Sequence, residues 1–576
     1  MYGVAFPLLY LELALGQYTH SSVLSIFDRI APIGFGIGVS ALWAVLMSVI
    51  IGSYFQEVVL TLFYASFDLF TTELAYDNCV GRWCRANCQK IKRRCEELGE
   101  AGHLEGYSYS EDFDTTRHSY IGVGDTCVHN EIKYWNKVYT DGQGSFIHSL
   151  PELHFSHAYF ENYTTLELYS WPHVSSLASA ITAACAMAYI LSLRRRWVAY
   201  IAYIYMSLMF TVTVSIVVIY AYMDPPDYPT SHVFEKPLKF FNTETWLTAI
   251  IMACLCLRLG YGGMIYLGSQ NSFHNNVQTD AMVITIIVSF IYVSQAMLHA
   301  LVRDAFLLEA MGGDHQVFLA TVQAANDFTL KSNRAGTKLI ALFAASFETF
   351  RNMHAPLVML LAVFGFFSAL IRKMICVDVI YTALMDYWSF VQSKDIRSSV
   401  IILICLCSTV LGFISYCVNC FVIDISMETI VLPNVTCILI LAELFVVCGL
   451  YGTRRFSNNI STMIEGKLSA IGGENWVNQI TGFITMAMLK AVIPVAILYA
   501  LITYMGADRT NMQFYDVMWQ CVLLSPIGIC AIIKVAYFYR HRMSYWRLFM
   551  PDTELWGPRA TANRLLAEKN EKLVRY

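Results

Sequence analysis

The sequence predicts an all-α polytopic membrane protein. Of its 576 residues, 56% are hydrophobic and only 14% are charged. The apolar residues are concentrated in runs of about 20, the length that an α-helix needs to cross a bilayer. The net charge of -4 is small for this length, so nothing indicates nucleic-acid binding. We expect eleven spans, at 2–17, 32–55, 173–193, 197–222, 245–268, 281–302, 355–385, 398–421, 430–451, 480–505 and 513–538.

These spans divide the chain into four regions. Residues 1–67 form transmembrane helices, 68–172 a large polar loop, 173–539 the helical core and 540–576 a tail. Basic residues in short loops mark the cytoplasmic side of a membrane protein. Their alternation places the carboxyl terminus inside and the large loop outside. The basic residues are Arg194, Arg195, Arg196, Lys394, Arg397, Arg454, Arg455, Arg540, Arg542 and Arg547.

The large loop has the features of an extracellular segment. The sequon at Asn162 predicts glycosylation there. An oxidising compartment favours a disulfide, but an odd count of cysteines leaves at least one thiol free or paired to another chain, and sequence alone does not assign the partners. Histidines such as His148, His154 and His157 fit a solvated surface better than a metal site. The loop cysteines are Cys79, Cys84, Cys88, Cys95 and Cys127.

Five stretches carry a family resemblance. They read "LLYLELALGQYT" (8–19), "FTTELAYDNCVGRWCRANC" (70–88), "NSFHNNVQTDA" (271–281), "YGTRRFSNNI" (451–460) and "ELWGPR" (554–559). Their order and spacing resemble those of the eukaryotic neurotransmitter:sodium symporters. The resemblance implies an inverted-repeat fold of twelve helices and uptake of amino acids, monoamines or GABA coupled to sodium and often chloride. It also implies a disulfide between Cys79 and Cys88.

The stretch "CLRLGYG" (256–262) resembles the sixth helix of this family, which breaks at mid-membrane. Gly260, Gly262 and Gly263 suit such a break because glycine tolerates unusual dihedral angles. Close helix packing through small residues is the alternative. Tyr261 matches an aromatic residue that closes over the substrate in relatives. By resemblance, the substrate cavity includes Gly52, Cys256, Leu257, Arg258, Gly260, Tyr261 and Gly262.

Arg258 stands where relatives usually have a glycine. An arginine at this depth is costly unless it faces water, a carboxylate or backbone carbonyls. It either supplies a fixed positive charge where relatives bind sodium, or forms an internal ion pair with Glu57 or Glu443. The two interpretations remain open. In the third helix, Gly52 replaces a tyrosine that contacts the substrate in relatives, and Gln56 and Glu57 are expected to hydrogen-bond to neighbouring helices.

The positions that hold ions in relatives lack their oxygen ligands. Sodium needs several hard oxygen donors, and sulfur or hydrocarbon cannot replace them. The sodium sites therefore look lost, and we expect no metal and no cofactor. Sodium and chloride remain the co-substrates of the family. The degenerate positions are Met252, Cys256, Val288, Tyr292, Ile371 and Arg372.

The gates depart from the family as well. Glu428 is the candidate acidic residue of an outer gate, and Gln270 replaces a tyrosine of the inner gate. The resemblance begins in the later part of the second helix, so the first helix is missing. We expect either an incomplete start of the reading frame or a truncated paralogue.

Two functions follow from these observations. The first is solute transport across the plasma membrane with sodium and chloride coupling altered or lost. The second is a transport-incompetent relative that binds a partner at the cell surface. An enzyme is not expected, since the sequence shows no metal-ligand cluster, phosphate loop or nucleophile elbow. The expected partners are a small solute and the lipid bilayer.

Overall fold

The computed structural model gives the architecture of most of the helical part. It describes residues 2–67, 91–92, 120–123, 126–129, 155, 171–193, 196–222, 243–310, 354–388, 394–417, 427–468, 476–507, 514–552 and 554–574. Almost all of these residues lie in helices. The fold described below is that of these residues.

The first part of the chain forms two helices and one very long one. Helix α1 covers Ala5–Thr19 and helix α2 covers Val23–Ile30. A 3₁₀ turn at Pro32–Gly34 leads into α3, Phe35–Ala65. With 31 residues, α3 is about 46 Å long at a rise of about 1.5 Å per residue, which exceeds the hydrocarbon thickness of a bilayer.

A small antiparallel sheet lies within the segment predicted to be extracellular. Its strands are β1 (Ile91–Lys92), β2 (Tyr120–Val123) and β3 (Thr126–His129), in the order β1-β2-β3. Gly122 of β2 is paired with Cys127 of β3.

Seven helices form the middle of the chain. They are α4 (Trp171–Leu193), α5 (Arg196–Tyr222), α6 (Thr243–Cys256), α7 (Gly263–Ser269), α8 (Val277–Ala310), α9 (His354–Tyr387) and α10 (Lys394–Cys417).

The remaining helices contain three π-helical segments. A π segment at Met427–Val431 precedes α11 (Leu432–Leu444), and a second one at Phe445–Gly452 leads into α12 (Thr453–Leu468). Helices α13 (Trp476–Ala487) and α14 (Ile493–Ala507) flank the third, at Met488–Val492. Helix α15 (Phe514–Arg540), a 3₁₀ turn (Tyr545–Phe549) and α16 (Thr561–Val574) complete the chain.

The predicted fold class is confirmed. A helix covers each of the eleven predicted spans in whole or in part. Among the described residues, seven helical segments are long and apolar enough to cross a membrane. They are Pro32–Ala65, Val277–Ala296, Ala355–Tyr387, Ile396–Ile414, Leu432–Ile464, Gly482–Thr503 and Phe514–Arg540. The short helix predicted at 339–350 lies outside the described residues.

Helix α1 is buried in the centre of the bundle. All of its residues except Phe6 are buried. Two glycines allow its backbone to approach α7: a Cβ atom built on Gly16 would lie 1.9 Å from the carbonyl oxygen of Ile265, and one built on Gly268 would lie 2.3 Å from that of Leu13. Hydrogen is therefore the only side chain that fits at these two positions, and the pair fixes α7 against α1.

Helix α3 is the other organising element, and it packs against α4, α9, α10 and α15. Small residues again permit close approach, because a Cβ on Gly412 of α10 would lie 2.3 Å from Cβ of Ser53. Apolar side chains are exposed along α5, α8 and α15, as contact with lipid requires. Phe210, Phe290 and Ile532 are examples, each more than half exposed. Polar side chains such as Glu12, Ser48 and Glu57 are instead buried.

Candidate functional site

The predicted span at 245–268 is interrupted, as its glycines predict. Helix α6 ends at Cys256 and α7 begins at Gly263. Between them the backbone takes left-handed conformations, with φ of 80° at Gly260 and 77° at Gly262. Gly263 has no positive φ and simply starts the next helix.

Arg258 also has a left-handed backbone, with φ of 51°. A side chain with a Cβ atom is disfavoured in this region by about 1 kcal/mol or more, whereas glycine is not. The structure thus gives a physical reason why glycine suits this position, and it shows that this chain keeps an arginine there at a conformational cost.

A buried carboxylate stabilises the break. Glu12 of α1, only 1% exposed, accepts a hydrogen bond of 2.6 Å from the backbone N–H of Gly260. Without this acceptor a backbone donor freed by the break would be buried without a partner, at a cost of about 1–3 kcal/mol. The role of Glu12 was not predicted, although this residue lies within the stretch "LLYLELALGQYT". The available signal was a lone carboxylate within an apolar helix.

A second carboxylate lies near the first. Glu443 of α11 is 4% exposed, and its charge interacts with that of Glu12. Within the described part of the chain, Oε2 of Glu12 and Oε1 of Glu443 are buried without a hydrogen-bond partner. The break is therefore flanked by two carboxyl oxygens able to accept a proton or a donor group.

Two arginines converge on Ser48 of α3. Nη1 of Arg258 donates to Oγ of Ser48 at 3.0 Å, and Nη2 of Arg372 on α9 donates to the carbonyl oxygen of Ser48 at 3.2 Å. Gly52, one turn further along α3, is adjacent to Arg372, since a Cβ atom there would lie 3.8 Å from Nε. The structure therefore brings together three predicted positions that are far apart in sequence, Gly52, Arg258 and Arg372.

Tyr292 and two thiols border this arginine pair. Tyr292 on α8, which is 45% exposed, lies close enough to Cys256, Arg258 and Arg372 to interact electrostatically with all three. Cys376 lies one turn after Arg372 on α9 and interacts electrostatically with both arginines. We call the group formed by Ser48, Arg258, Arg372 and Tyr292 the arginine cluster.

Other predicted cavity and ion positions lie elsewhere. Tyr261 is only 2% exposed, and its hydroxyl donates to the carbonyl oxygen of Leu432 at 3.4 Å and lies 2.8 Å from Oγ1 of Thr436. Leu257 is 2% exposed in the core, whereas Met252 is 54% exposed. These positions thus have different surroundings. The hydrogen bonds of Tyr261 connect the break to α11.

The hydrocarbon side chains at two predicted ion positions are partly buried. Val288 on α8 packs against the main core, and Ile371 precedes Arg372 on α9. Neither offers an oxygen atom from its side chain. No group of three or more histidine, cysteine, aspartate or glutamate side chains in the described ranges could hold a metal ion.

A second polar cluster lies further along α3. Glu57 is fully buried and interacts with Ser176 of α4 and with Lys373 of α9. Lys373, 1% exposed, donates from Nζ to Oγ1 of Thr409 on α10. Glu57 was expected to hydrogen-bond to neighbouring helices, but neither of its carboxyl oxygens has a hydrogen-bond partner. Lys373 is close enough to act on its charge. Glu57 and Lys373 thus place two buried ionisable groups between α3, α4, α9 and α10.

At the end of α1 predicted to face the cytoplasm, Gln17 holds the loop before α8. Its Nε2 donates to the carbonyl oxygens of Phe273 at 3.1 Å and Asn275 at 2.8 Å. Gln270, the predicted departure from the inner gate, is exposed and bonds to the hydroxyl of neighbouring Ser269 at 3.1 Å. In the neighbouring α7, the hydroxyl of Tyr266 donates a hydrogen bond to the carboxylate of Asp378 on α9.

The tail packs against the same end of the bundle. Asp386 of α9 accepts bonds from the backbone N–H of Ser22 at 2.7 Å and from Arg559 at 2.6 Å. Trp556 lies between the rings of Tyr18 and Tyr451, with centroid distances of 6.0 and 5.2 Å. These contacts were not foreseen, although Trp556 and Arg559 belong to the quoted motif "ELWGPR".

Several predicted positions lie outside the described part. Glu428 belongs to the π segment before α11, but its side chain is not among those described. Cys79, Cys88 and Asn162 also lie outside it.

Comparison with known proteins identifies the family of this chain. The family model described as the sodium:neurotransmitter symporter family matches residues 1–122 and 198–544. A sodium- and chloride-dependent GABA transporter 2 from Rattus norvegicus is 21% identical over 481 residues, which is 81% of this chain and 68% of the relative. A sodium-dependent dopamine transporter from Bos taurus is 22% identical over 279 residues, 48% of this chain. A sodium-dependent serotonin transporter from Drosophila melanogaster is 34% identical over 85 residues, 15% of this chain.

The similarity is low and partial for some relatives. The matched part covers 34% of the bovine protein and 13% of the fly protein, less than two thirds of either. The match to the family model, in contrast, extends from the first helices to α15 and includes both the break and the arginine cluster. This polytopic helical protein therefore belongs to the sodium:neurotransmitter symporter family.

Proposed function

We propose that this protein carries a small solute, an amino acid or a related amine, across the plasma membrane without ordinary sodium coupling. Family membership supports transport. The observation that carries the second half of the proposal is the arginine cluster, in which Arg258 and Arg372 meet at Ser48. Both arginines occupy positions that, by resemblance, belong to the ion and substrate region.

Electrostatics disfavour sodium at this place. A guanidinium stays charged at every physiological pH. A sodium ion about 5 Å from one guanidinium would be repelled by roughly 3 kcal/mol at an effective dielectric constant of about 20. That energy corresponds to a loss of affinity of about a hundredfold. Two arginines increase the penalty, so sodium binding within the cluster is not expected at physiological concentrations.

The side chains at three predicted ion positions supply no oxygen ligand for sodium. A sodium site needs several oxygen ligands, by analogy with other hard cations. Val288 and Ile371 supply hydrocarbon at two positions where relatives carry oxygen, and Cys256 supplies sulfur. The guanidinium groups of Arg258 and Arg372 therefore take the place of the sodium ion that relatives bind. Chloride coupling is altered together with sodium coupling.

The broken helix supports retention of transport. Left-handed residues at Gly260 and Gly262 interrupt the helix and leave backbone groups there without their partners within the helix, a feature of transporters in which such breaks form the substrate site. Glu12 stabilises this irregular backbone in the protein interior. A chain without a transport role has no evident need to maintain a break that requires a buried carboxylate.

Uptake measurements test the proposal. The protein, confirmed at the cell surface by biotinylation, is assayed with a panel of radiolabelled amino acids and amines. Sodium is replaced by N-methylglucamine in one arm, and chloride by a bulky sulfonate in another. We expect uptake that survives both replacements. Uptake that requires sodium would contradict the proposed loss of coupling.

A second candidate function is a surface protein that binds a partner and does not transport. The loss of side-chain oxygen at Val288 and Ile371 favours it. Absence of uptake across the whole panel, with the protein folded and at the surface, would select this candidate. The triple substitution Arg258→Gly, Val288→Asn and Ile371→Asp should then produce sodium-dependent binding or uptake.

We also propose that segment 68–172 is extracellular, with a disulfide between Cys79 and Cys88 and a glycan on Asn162. The sequon and the charge distribution support this topology. Glycosidase treatment of intact protein should lower its apparent mass, and Asn162→Gln should abolish that change. Unchanged mass in the wild-type protein would contradict the proposed orientation.

A further inference from the structure

We propose that Glu57 and Lys373 form a buried proton-binding site, and that a proton bound there takes the place of sodium as the coupling ion. The second statement rests on the proposed transport function. The first rests on the burial, the contacts and the charges of the two side chains alone.

Both ionisable groups lie inside the bundle. Glu57 on α3 is 0% exposed and Lys373 on α9 is 1% exposed. Two further helices adjoin them, since Glu57 lies close to Ser176 of α4 and Nζ of Lys373 donates to Oγ1 of Thr409 on α10. Ionisable side chains inside a membrane domain are costly, and they commonly belong to ion pathways or proton relays.

The carboxyl group of Glu57 has no hydrogen-bond donor beside it. Neither Oε1 nor Oε2 accepts a hydrogen bond. An ionised carboxylate can only accept hydrogen bonds and requires donors when it is buried, whereas a protonated carboxyl is uncharged. Burial at this place therefore favours the form of Glu57 that carries a proton.

The charge of Lys373 acts in the opposite direction. It lies close enough to Glu57 to stabilise the ionised carboxylate, although no hydrogen bond joins the two groups. When Glu57 loses its proton to water, Lys373 stays protonated, and a site with one net positive charge becomes a neutral pair of opposite charges. Two opposed influences of this kind keep both states accessible, as reversible binding of a proton requires.

Among the described residues, Lys373 is the charged group that acts on Glu57. The next carboxylate along α9, Asp378, accepts a hydrogen bond from Tyr266 instead. Helix α15 also packs against α3, but its Lys534 is paired with Asp28. The groups that face the pair from α4 and α10 are hydroxyls and thiols, namely Ser176, Cys185, Cys405 and Thr409.

The pair joins the two helices that hold Arg372 at Ser48. Arg372 precedes Lys373 on α9, and Ser48 lies nine residues before Glu57 on α3, about 13 Å away along the helix. Nη2 of Arg372 donates to the carbonyl oxygen of Ser48 at 3.2 Å. Protonation of Glu57 removes its attraction to Lys373 and so weakens the contact between α3 and α9. A bound proton thus biases the interface that borders the predicted substrate region.

Infrared spectroscopy measures the protonation of Glu57 directly. The full-length protein in lipid nanodiscs is titrated from about pH 5 to about pH 9, a range in which surface carboxyl groups are mostly ionised. Difference spectra follow the C=O stretching band of protonated carboxylic acids. We expect a component of this band that decreases as the pH rises and that is absent in Glu57→Gln. Glu568→Gln, which removes an exposed carboxylate of α16, is the matched control and should leave this component unchanged.

Lys373→Met gives a second measurement that leaves Glu57 in place. Without the positive charge the ionised carboxylate is no longer stabilised, so the band should persist to a pH higher by at least about one unit. Lys373→Arg keeps the charge and should shift the midpoint less. Size-exclusion profiles show which variants are folded. A band that responds neither to Glu57→Gln nor to Lys373→Met would refute the proton site.

Transport in proteoliposomes tests the role of the proton. An inward gradient of about one pH unit can drive up to about tenfold accumulation of a solute that is carried with one proton. In sodium-free buffer we expect such accumulation, and a protonophore should abolish it. Glu57→Gln should lose the dependence on the gradient, whereas Glu568→Gln should retain it.

The two experiments fail separately. A titrating Glu57 together with uptake that ignores the gradient would keep the proton site and reject proton coupling. Absence of uptake of every solute, with the titration observed, would keep the site and reject the proposed transport function. Gradient-driven uptake that Glu57→Gln leaves intact would reject the role of this pair in coupling.

Discussion

The contact between α1 and α7 gives the sharpest prediction, which concerns Gly16→Ala. A Cβ atom at this position would lie 1.9 Å from the carbonyl oxygen of Ile265, whereas real Cβ contacts stay beyond 3.0 Å. The two helices must therefore separate by about 1 Å. Because both clashing groups are backbone-anchored, no rotamer change relieves the contact, and overpacking of this kind costs about 1–3 kcal/mol or more.

The same displacement should weaken a second interaction. Glu12 lies one turn before Gly16 on α1, and its bond of 2.6 Å to Gly260 would lengthen beyond hydrogen-bonding range. We therefore expect Gly16→Ala to lose more stability than the steric term alone predicts.

Thermal unfolding of detergent-solubilised protein, followed by fluorescence-detected size exclusion, measures this effect. Gly482→Ala in α13 is the matched control, because a Cβ there meets no atom within 4 Å. Alanine in an open helical position is favoured over glycine by about 1 kcal/mol. The control should be neutral or stabilised. Equal melting temperatures for the two variants would refute the close approach of α1 and α7.

Three further predictions concern the break and the tail. Glu12→Ala should lower stability by about 1–3 kcal/mol because it leaves the Gly260 N–H without an acceptor. Glu12→Gln keeps an oxygen acceptor there and should lower stability less. Equal melting temperatures of these two variants would contradict this role of Glu12. Asp386→Asn should release the tail by weakening its bond to Arg559, seen as faster proteolysis after residue 552. Glu568→Gln, which removes only an exposed pair with Arg564, should not speed cleavage. Equal cleavage of the two variants would argue against the contact between Asp386 and Arg559. Burial lowers the pKa of His20 below 6.5, and Arg559 lowers this pKa further. The neutral imidazole is thus favoured in the folded state. The stability that His20 contributes is complete above about pH 6.5 and is lost as the pH falls through its lower folded pKa. The melting temperature of the wild type should therefore fall at acid pH, and that of His20→Gln should fall less; the same pH dependence in both proteins would contradict this role of His20.

Much of the fold could be predicted because bilayer length and hydropathy constrain it locally. Each apolar run of about 20 residues has few alternatives to a helix in lipid. The helix break was also readable, since Gly260 and Gly262 allow the left-handed backbone that the structure shows. The π segments before and after α11 carry no comparable local signal, and their bounds came from the structure.

The polar contacts inside the bundle were less predictable. Arg258 was expected either to face an ion region or to pair with Glu57 or Glu443, and its described bond is to Ser48. Glu57 lies with Lys373, and Glu443 lies near Glu12. Side chains within reach of several helices can choose among several partners, and the helix rotations that select one are not encoded in any single segment.

The sequence by itself determined the membrane class, the order of the spans, the family motifs and the unusual residue types at Arg258 and Arg372, because these depend on composition and local spacing. Only the tertiary structure decided that these arginines meet at one serine, that Glu12 supports the break and that Trp556 packs between Tyr18 and Tyr451. Such contacts join residues hundreds of positions apart. They depend on distances of a few ångströms set by close approaches such as that of Gly16 to Ile265, which no local pattern specifies.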